Sequence, residues 1–173
     1  RVPEQLAQEI QYAIREDNAG FSGFSVARRA YFLGKWIRHC GWYPGRVTRL
    51  FRKANARFTE NHVHEQVVID GRVGELKNDL LHFTDPNLEH YFFKFNRYTT
   101  LAAQDVHAAR RKFSLYDLLV RPPFMFFKMY VLKRGFMDGV QGFILCVVSS
   151  AYVFTKYAKV WEIQNSTSTT TLK

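Results

Sequence analysis

Glu65 and His82 are the residues whose types and positions most readily do chemistry. Glu65 lies in Asn61-His62-Val63-His64-Glu65-Gln66 and His82 in Asp79-Leu80-Leu81-His82-Phe83, at the ends of predicted strands expected to be neighbours. A carboxylate and an imidazole brought together at a sheet edge can divide the work of a general base and a metal ligand. Each also has a plainer reading, Glu65 as an exposed strand carboxylate and His82 as a hydrogen-bonded histidine closing the sheet edge. His62 and His64 share a strand face, but two imidazoles without a third ligand nearby make a weak zinc signal.

The elements that must position these residues follow from local pattern. Val2-Pro3-Glu4-Gln5-Leu6 reads as the first turn of a helix running to about Asp17, with Leu6, Ile10, Ala13 and Ile14 on one face. Short strands are expected at Phe24 to Phe32, Val47 to Arg52, His64 to Ile69, Gly74 to Lys77 and Asp79 to Phe83. Asp70-Gly71 is the strongest hairpin signal among them, and Gly41-Trp42-Tyr43-Pro44-Gly45 is a loop with two large aromatics. Thr84 or Asp85 is placed to cap a long helix from Pro86 to about Lys112, whose Leu88, Tyr91, Phe92, Phe95, Tyr98, Leu101 and Ala102 step along one face expected to be buried.

Residues 114–163 differ in kind. Leu115 to Arg121 is interrupted by Pro122-Pro123, and Phe124 to Phe136 combines apolar bulk with basic punctuation. An uncharged run from Gly139 to Thr155, bounded by Asp138 and Lys156, falls short of the ~20 apolar residues usual in a membrane span and carries Gln141, Ser149 and Ser150. The favoured reading is an amphipathic helical region lying at a membrane surface, with Lys128, Lys133, Arg134, Lys156 and Lys159 toward lipid phosphates and Trp161 at headgroup level. The alternatives are a helical hairpin covering the sheet and a true span. Residues 164–173 are polar, rich in Ser and Thr, and expected to be disordered.

A chain of 173 residues with 47% hydrophobic content can bury one core. Lys and Arg outnumber Asp and Glu by 25 to 15, a net charge of +10, which points to an anionic partner. Aromatics crowd the same C-terminal segments as the basic residues, which suits a lipid interface better than a duplex groove. No basic stripe on a recognition helix argues for nucleic acid. Cys40 and Cys146 are far apart, without CxxC spacing or a preceding signal peptide, and read as reduced thiols in a cytoplasmic protein.

Five motifs in order, Arg49-Leu50-Phe51-Arg52-Lys53, Val63-His64-Glu65, Leu80-Leu81-His82-Phe83-Thr84, Lys94 to Ala103, and Tyr130-Val131-Leu132-Lys133-Arg134-Gly135-Phe136-Met137-Asp138-Gly139, resemble the C-terminal half of bacterial family-2 glycosyltransferases. The resemblance is to the group related to lipopolysaccharide inner-core β-glucosyltransferases, and it extends nearly to Trp161. It implies an α/β chain with a partial GT-A type glycosyltransferase fold. Residues 1–113 would form the acceptor-side sheet and helices, and the helical membrane-associating region would follow. It also implies that the Asp-x-Asp motif, which binds Mg²⁺ or Mn²⁺, lies just upstream of Val2-Pro3-Glu4-Gln5-Leu6. The chain is then expected to be a fragment, inactive alone.

In that resemblance Glu65 matches the catalytic base that deprotonates an acceptor hydroxyl as it attacks the anomeric carbon, giving inversion. His82 matches the C-terminal histidine that helps to hold the metal on the diphosphate. Trp42 and Tyr43 are candidates for stacking on the acceptor sugar, with Arg38 and His39 beside them for phosphate or hydroxyl contacts and Arg49 and Arg52 as further acceptor-binding candidates. Arg49 and Arg52 fall on opposite faces of one strand, so at most one enters the site. The implied partners are a nucleotide sugar, a glycolipid or lipopolysaccharide acceptor and an anionic membrane surface, with no nucleic acid. The implied location is peripheral, on the cytoplasmic face of the bacterial inner membrane. The alternative is a non-catalytic basic-aromatic module that binds membrane surfaces, in which Glu65 and His82 are structural.

Overall fold

The computed structural model describes residues 1–16, 20–58 and 67–169. Glu65, His62 and His64 lie outside the described residues.

One long strand organises the sheet. β1 (Phe21–Phe32) carries the aromatics Phe21, Phe24, Tyr31 and Phe32 and the β-branched Val26. It turns through Leu33-Gly34, both at positive φ (49° and 78°), into the short β2 (Lys35–Trp36). β3 (Arg46–Phe51) lies antiparallel along the first half of β1. Gly23 permits their close approach, since a Cβ there would sit 3.0 Å from the Leu50 carbonyl oxygen. On the opposite edge β6 (Arg72–Glu75) and β7 (Leu80–Asp85) run parallel to β1, β6 beside its first half and β7 beside its second. The result is a five-stranded mixed sheet.

β4 (Ala56–Phe58) and β5 (Val67–Ile69) form a separate antiparallel pair. The hairpin expected at Asp70-Gly71 is therefore absent: the chain turns at Gly71 (φ +112°), but the strands on either side join different sheets. Asp-Gly encodes the turn, whereas pairing is decided by packing; Gly74 lets β6 lie under the Phe24 ring, 2.8 Å from where a Cβ would be. β5 and β7, taken from the sequence as neighbours, are likewise not paired.

Three apolar clusters hold the layers together. α1 (Glu4–Arg15) buries Leu6 and Ala13 against Val26 and Leu76, while Ile14, expected on the same face, is exposed. Glu9 fastens α1 to the β6–β7 turn by accepting from the Lys77 and Asn78 backbone N–H groups at 2.7 and 2.9 Å. α2 (Leu88–Ala108) starts at Asn87, whose side chain accepts from the His90 N–H at 2.8 Å. Thr84 and Asp85 do not cap it; both remain in β7, and the buried Asp85 carboxylate is held by His90 at 3.0 Å and Lys94 at 2.7 Å.

The expected apolar face of α2 is only partly covered, with Phe92 48% and Tyr98 44% exposed. Thr99 and Ala103 are the buried residues, because α2 is crossed by one helix, α5, and small side chains let the two approach. α3 (Leu115–Leu119) and α4 (Arg121–Phe127) precede a π-helical turn (Lys128–Leu132) and a 3₁₀ turn (Gly135–Asp138). α4 starts across Pro122-Pro123, which sit in its first turn where their missing N–H groups cost little. Asp117, 2% exposed, is clasped by Arg111 at 2.6 Å and Arg121 at 2.5 Å.

α5 (Gly139–Thr169) packs on α4 and α2. It is long and apolar enough, by length and composition, to cross a membrane, and a third of its most apolar stretch is buried in the protein. It continues past the expected start of a disordered tail at residue 164. There the Gln164 side chain accepts from the Phe113 N–H and donates to the Arg111 carbonyl.

Candidate functional site

His82 and Trp42, forty residues apart in sequence, line one cleft of about 260 Å³. Its floor comes from the paired strands β1 and β7, which contribute Arg28, Ala30, His82 and Thr84. Its other wall is the loop after β2, which contributes Gly41, Trp42 and Gly45. Alternation along β1 explains the first set: Arg28, Ala30 and Phe32 share a face, and Ala30, opposite His82, is small enough to leave the space open.

The cleft is electropositive. His82 is exposed at the rim of the cleft, and its imidazole is held below the usual range, first by partial desolvation and then by the positive charges of Arg28, Lys94, the N-terminal ammonium and Arg49. A neutral imidazole among cations offers one donor and one acceptor to an anionic ligand and sheds little charge of its own into the site. Lys94 donates to the Thr84 carbonyl at 3.2 Å and pairs with the buried Asp85 carboxylate at 2.7 Å, so its charge beside the cleft is largely offset and Arg28 is the main cation facing the ligand space. The Thr84 hydroxyl is buried with no partner among the described residues.

No group of three potential ligands gathers among the described residues, and the charges acting on His82 are positive. Of the ligands that the resemblance implies for Mg²⁺ or Mn²⁺, this cleft holds the imidazole of His82.

The remaining candidates separate. Trp42 is half-buried, edge-on to Phe32 at 6.2 Å between ring centroids, and faces the cleft from the loop. Tyr43 points elsewhere: its ring meets Trp36 edge-on at 5.5 Å and its hydroxyl donates to Asp79 at 3.2 Å. Burial first and Asp79 second push the Tyr43 hydroxyl above its ordinary range. Arg38 lies over the Trp36 ring at 4.6 Å, with Arg29 over the same ring at 4.4 Å, so it belongs to this second cluster. Arg49 acts on His82, whereas Arg52 lines a mainly apolar cavity of about 280 Å³ between α1 and the ends of β1 and β3. The two arginines do diverge.

Of the basic residues expected at lipid, Lys128, Lys133 and Arg134 are exposed around the π-helical turn, and Trp161 is 52% exposed. Lys156 lies over the Tyr157 ring at 4.4 Å. Lys159 turns inward, donating to the Asn96 carbonyl and side chain and to the Thr99 and Thr100 hydroxyls at 2.8 to 3.0 Å. These two charges serve the helix layer.

Two residues were missed from sequence. Arg28 stands in an Arg28-Arg29 pair whose members point to opposite faces, one to the cleft and one to Asp79 at 3.0 Å. The period of two in a strand separates such a doublet. Asp138, 2% exposed, accepts from the Arg38 and His39 backbone N–H groups at 3.2 and 2.8 Å and sits 3.0 Å from the His39 ring nitrogen Nδ1. Only its place in a motif distinguished it beforehand.

Over 143 residues, 81% of its length, the chain is 32% identical to the lipopolysaccharide core biosynthesis glycosyltransferase LpsC of Rhizobium meliloti (strain 1021), of which the match covers 53%. An uncharacterized glycosyltransferase of Rickettsia conorii is 24% identical over 70% of the chain and 45% of its own length. One from Rickettsia typhi is 22% identical over 92% of the chain and 58% of its own length. The chain spans about half the length of the curated relatives it matches. No protein-family model matches the chain, and no solved structure matches it significantly.

Proposed function

The chain is related to the glycosyltransferases over about half their length, and from that premise we propose that the protein transfers a sugar from a nucleotide-sugar donor to a lipid-linked or lipopolysaccharide-core acceptor, with inversion, at a membrane surface. The observation that carries the reading is the meeting of Arg28, His82 and Trp42 in one electropositive cleft. A phosphorylated ligand needs fixed positive charge and planar donors, which Arg28 supplies, and a sugar ring needs an aromatic wall, which Trp42 supplies.

In this reading Arg28 binds a phosphate oxygen, its Nε and backbone N–H both anchored by the Gly45 carbonyl at 3.3 Å so that the guanidinium is held in the cleft. Neutral His82 hydrogen-bonds the same ligand from β7. Glu65 is the base proposed to take the proton from the acceptor hydroxyl, a role that rests on the sequence resemblance. A divalent cation would neutralise charge gathering on the departing diphosphate, and the neutral His82 imidazole would be one of its ligands.

Membrane contact belongs to the same reading. Phe124, Phe127, Leu132, Phe136 and Met137 are each about half exposed or more, and Lys128, Lys133 and Arg134 stand among them. Apolar bulk beside cations is the make-up of a segment lying in an anionic interface. The corner abuts the cleft, since the Lys133 carbonyl accepts the Cys40 N–H at 3.0 Å. A lipid-linked acceptor held at the corner would therefore reach Trp42 without leaving the surface. The cytoplasmic face of the bacterial inner membrane is the location proposed from the resemblance, and a peripheral rather than spanning mode is proposed because α5 packs on α2 and α4 and ties to α2 through Lys159.

The test is to incubate the full-length gene product with a panel of nucleotide sugars and membranes carrying lipid-linked or core acceptors. Mass spectrometry should find the acceptor heavier by one sugar, and NMR should find its anomeric configuration inverted. Retained configuration would remove the single-displacement role of Glu65, and absence of transfer across the panel would count against the enzyme reading.

A further inference from the structure

We infer that Asp138 is a positioning residue that builds the loop wall of the cleft. Its kinetic consequence rests on the glycosyl-transfer reading, and its structural consequence does not. The loop from Arg38 to Gly45 forms no strand, is tied to β1 at its far end where the Gly45 carbonyl accepts the Arg28 N–H at 3.3 Å, and contributes Gly41, Trp42 and Gly45 to the cleft. Its start passes through two successive residues at positive φ, Cys40 at 57° and Gly41 at 78°. A non-glycine residue in that region is strained and persists only where its surroundings hold it. The buried Asp138 carboxylate does so, gathering the Arg38 and His39 N–H groups and the His39 imidazole, while the Asp138 carbonyl accepts Lys35 Nζ at 2.8 Å.

The segment carrying Asp138 is shaped for this contact. A Cβ at Gly135 would lie 2.8 Å from Cys40 Sγ, and one at Gly142 would lie 2.2 Å from the Gly135 carbonyl oxygen and 2.7 Å from Asp138 Cβ. Glycine at both places lets the 3₁₀ turn and the start of α5 close on the loop. The Arg134-Gly135-Phe136-Met137-Asp138-Gly139 run thereby acquires a role: it joins the exposed cationic corner to the loop that carries Trp42. Asp138 is buried away from any ligand and acts through the loop.

Three readouts test this. In the wild-type protein, hydrogen exchange at the Arg38 and His39 amides should be slowed at least ~10²-fold against an open loop; exchange at open-loop rates would overturn the inference without any variant. With Trp36→Phe and Trp161→Phe leaving Trp42 as the sole one of three tryptophans, Asp138→Asn should raise acrylamide quenching of Trp42 about twofold or more while far-ultraviolet circular dichroism is kept. Unchanged quenching would overturn it. In the full-length enzyme Asp138→Asn should raise the acceptor KM about tenfold and leave the donor KM near its wild-type value, whereas an unchanged acceptor KM would overturn it. Absence of transfer by the wild type would defeat the enzymatic reading alone, and the amide and Trp42 measurements would still decide the role of Asp138.

Discussion

The Lys159 ammonium lies 2.8 Å from the Asn96 side-chain oxygen, fixing the C-terminal half of α5 to the middle of α2. The same ammonium reaches the Thr99 and Thr100 hydroxyls, so a residue that composition marks as a surface cation works inside a helix crossing. Lys159→Met would leave those acceptors without their charged donor. A charge-assisted hydrogen bond contributes about 1.5–3 kcal/mol, and the change should destabilise the protein by an amount in that range. Urea unfolding should show a lower midpoint with an unchanged slope; an unchanged midpoint would mean that the clasp contributes nothing net.

Vesicle binding should depend on a different set of charges. Lys128, Lys133 and Arg134 surround the π-helical turn and are exposed. Each charge near an anionic surface is worth about 1 kcal/mol, screened over roughly 8 Å at physiological salt. Replacing all three by Gln should weaken binding to anionic vesicles by ~10²-fold, and raising the salt should do much the same to the wild type. Lys156→Gln should have little effect, because that ammonium already lies over the Tyr157 ring. Salt-independent retention on membranes, resistant to alkaline carbonate, would instead mean that α5 spans the bilayer.

The pH behaviour of His82 reports on the cleft. Partial desolvation first, then Arg28, Lys94, the N-terminal ammonium and Arg49, lower its pKa below the unfolded value, so the folded protein favours neutral imidazole. The unfolded chain then binds more protons in the window from just below pH 6.5 down to the folded pKa, and stability falls as pH falls through that window. An NMR titration should place the His82 midpoint below that of an unfolded peptide. Saturating phosphate or a nucleoside diphosphate should raise the midpoint, because the anion offsets the neighbouring cations. A midpoint unmoved by either would mean that they do not bind beside His82.

Much of the framework could be read from residue pattern, and the failures have physical causes. α1, β1, β3 and β7 lie within a few residues of their expected places because each has a clear period and terminal signals. The Asp70-Gly71 hairpin and the cap at Thr84 or Asp85 failed because turn and capping residues specify local geometry, while pairing partners come from tertiary packing. Within the site, His82 and Trp42 were legible as reactive or aromatic residues near turns. Arg28 was hidden in a strand doublet, and Asp138 looked like a helix-end charge. Neither the separation of 99 positions between His39 and Asp138 in the chain nor the burial of that carboxylate leaves a local signature.

Glu65 is judged by chemistry in the full-length protein. Glu65→Gln keeps size and one acceptor but removes the base, so transfer should slow by ~10²- to 10⁴-fold while donor binding changes little. Pre-steady-state measurement of the chemical step is the appropriate check. Near-normal turnover would take Glu65 out of the mechanism.

The central claim is that the cleft between β7 and the Trp42 loop binds the phosphorylated ligand of a sugar transfer, and Arg28→Met tests it most directly. The substitution keeps an unbranched side chain in the strand and removes only the guanidinium. Steady-state kinetics of the full-length enzyme should show kcat/KM for sugar transfer lowered by ~10²-fold or more, the scale of a lost charge-assisted contact to phosphate, with the melting temperature close to that of the wild type. A kcat/KM within a factor of two of the wild type would contradict the account and move the reaction to another part of the molecule.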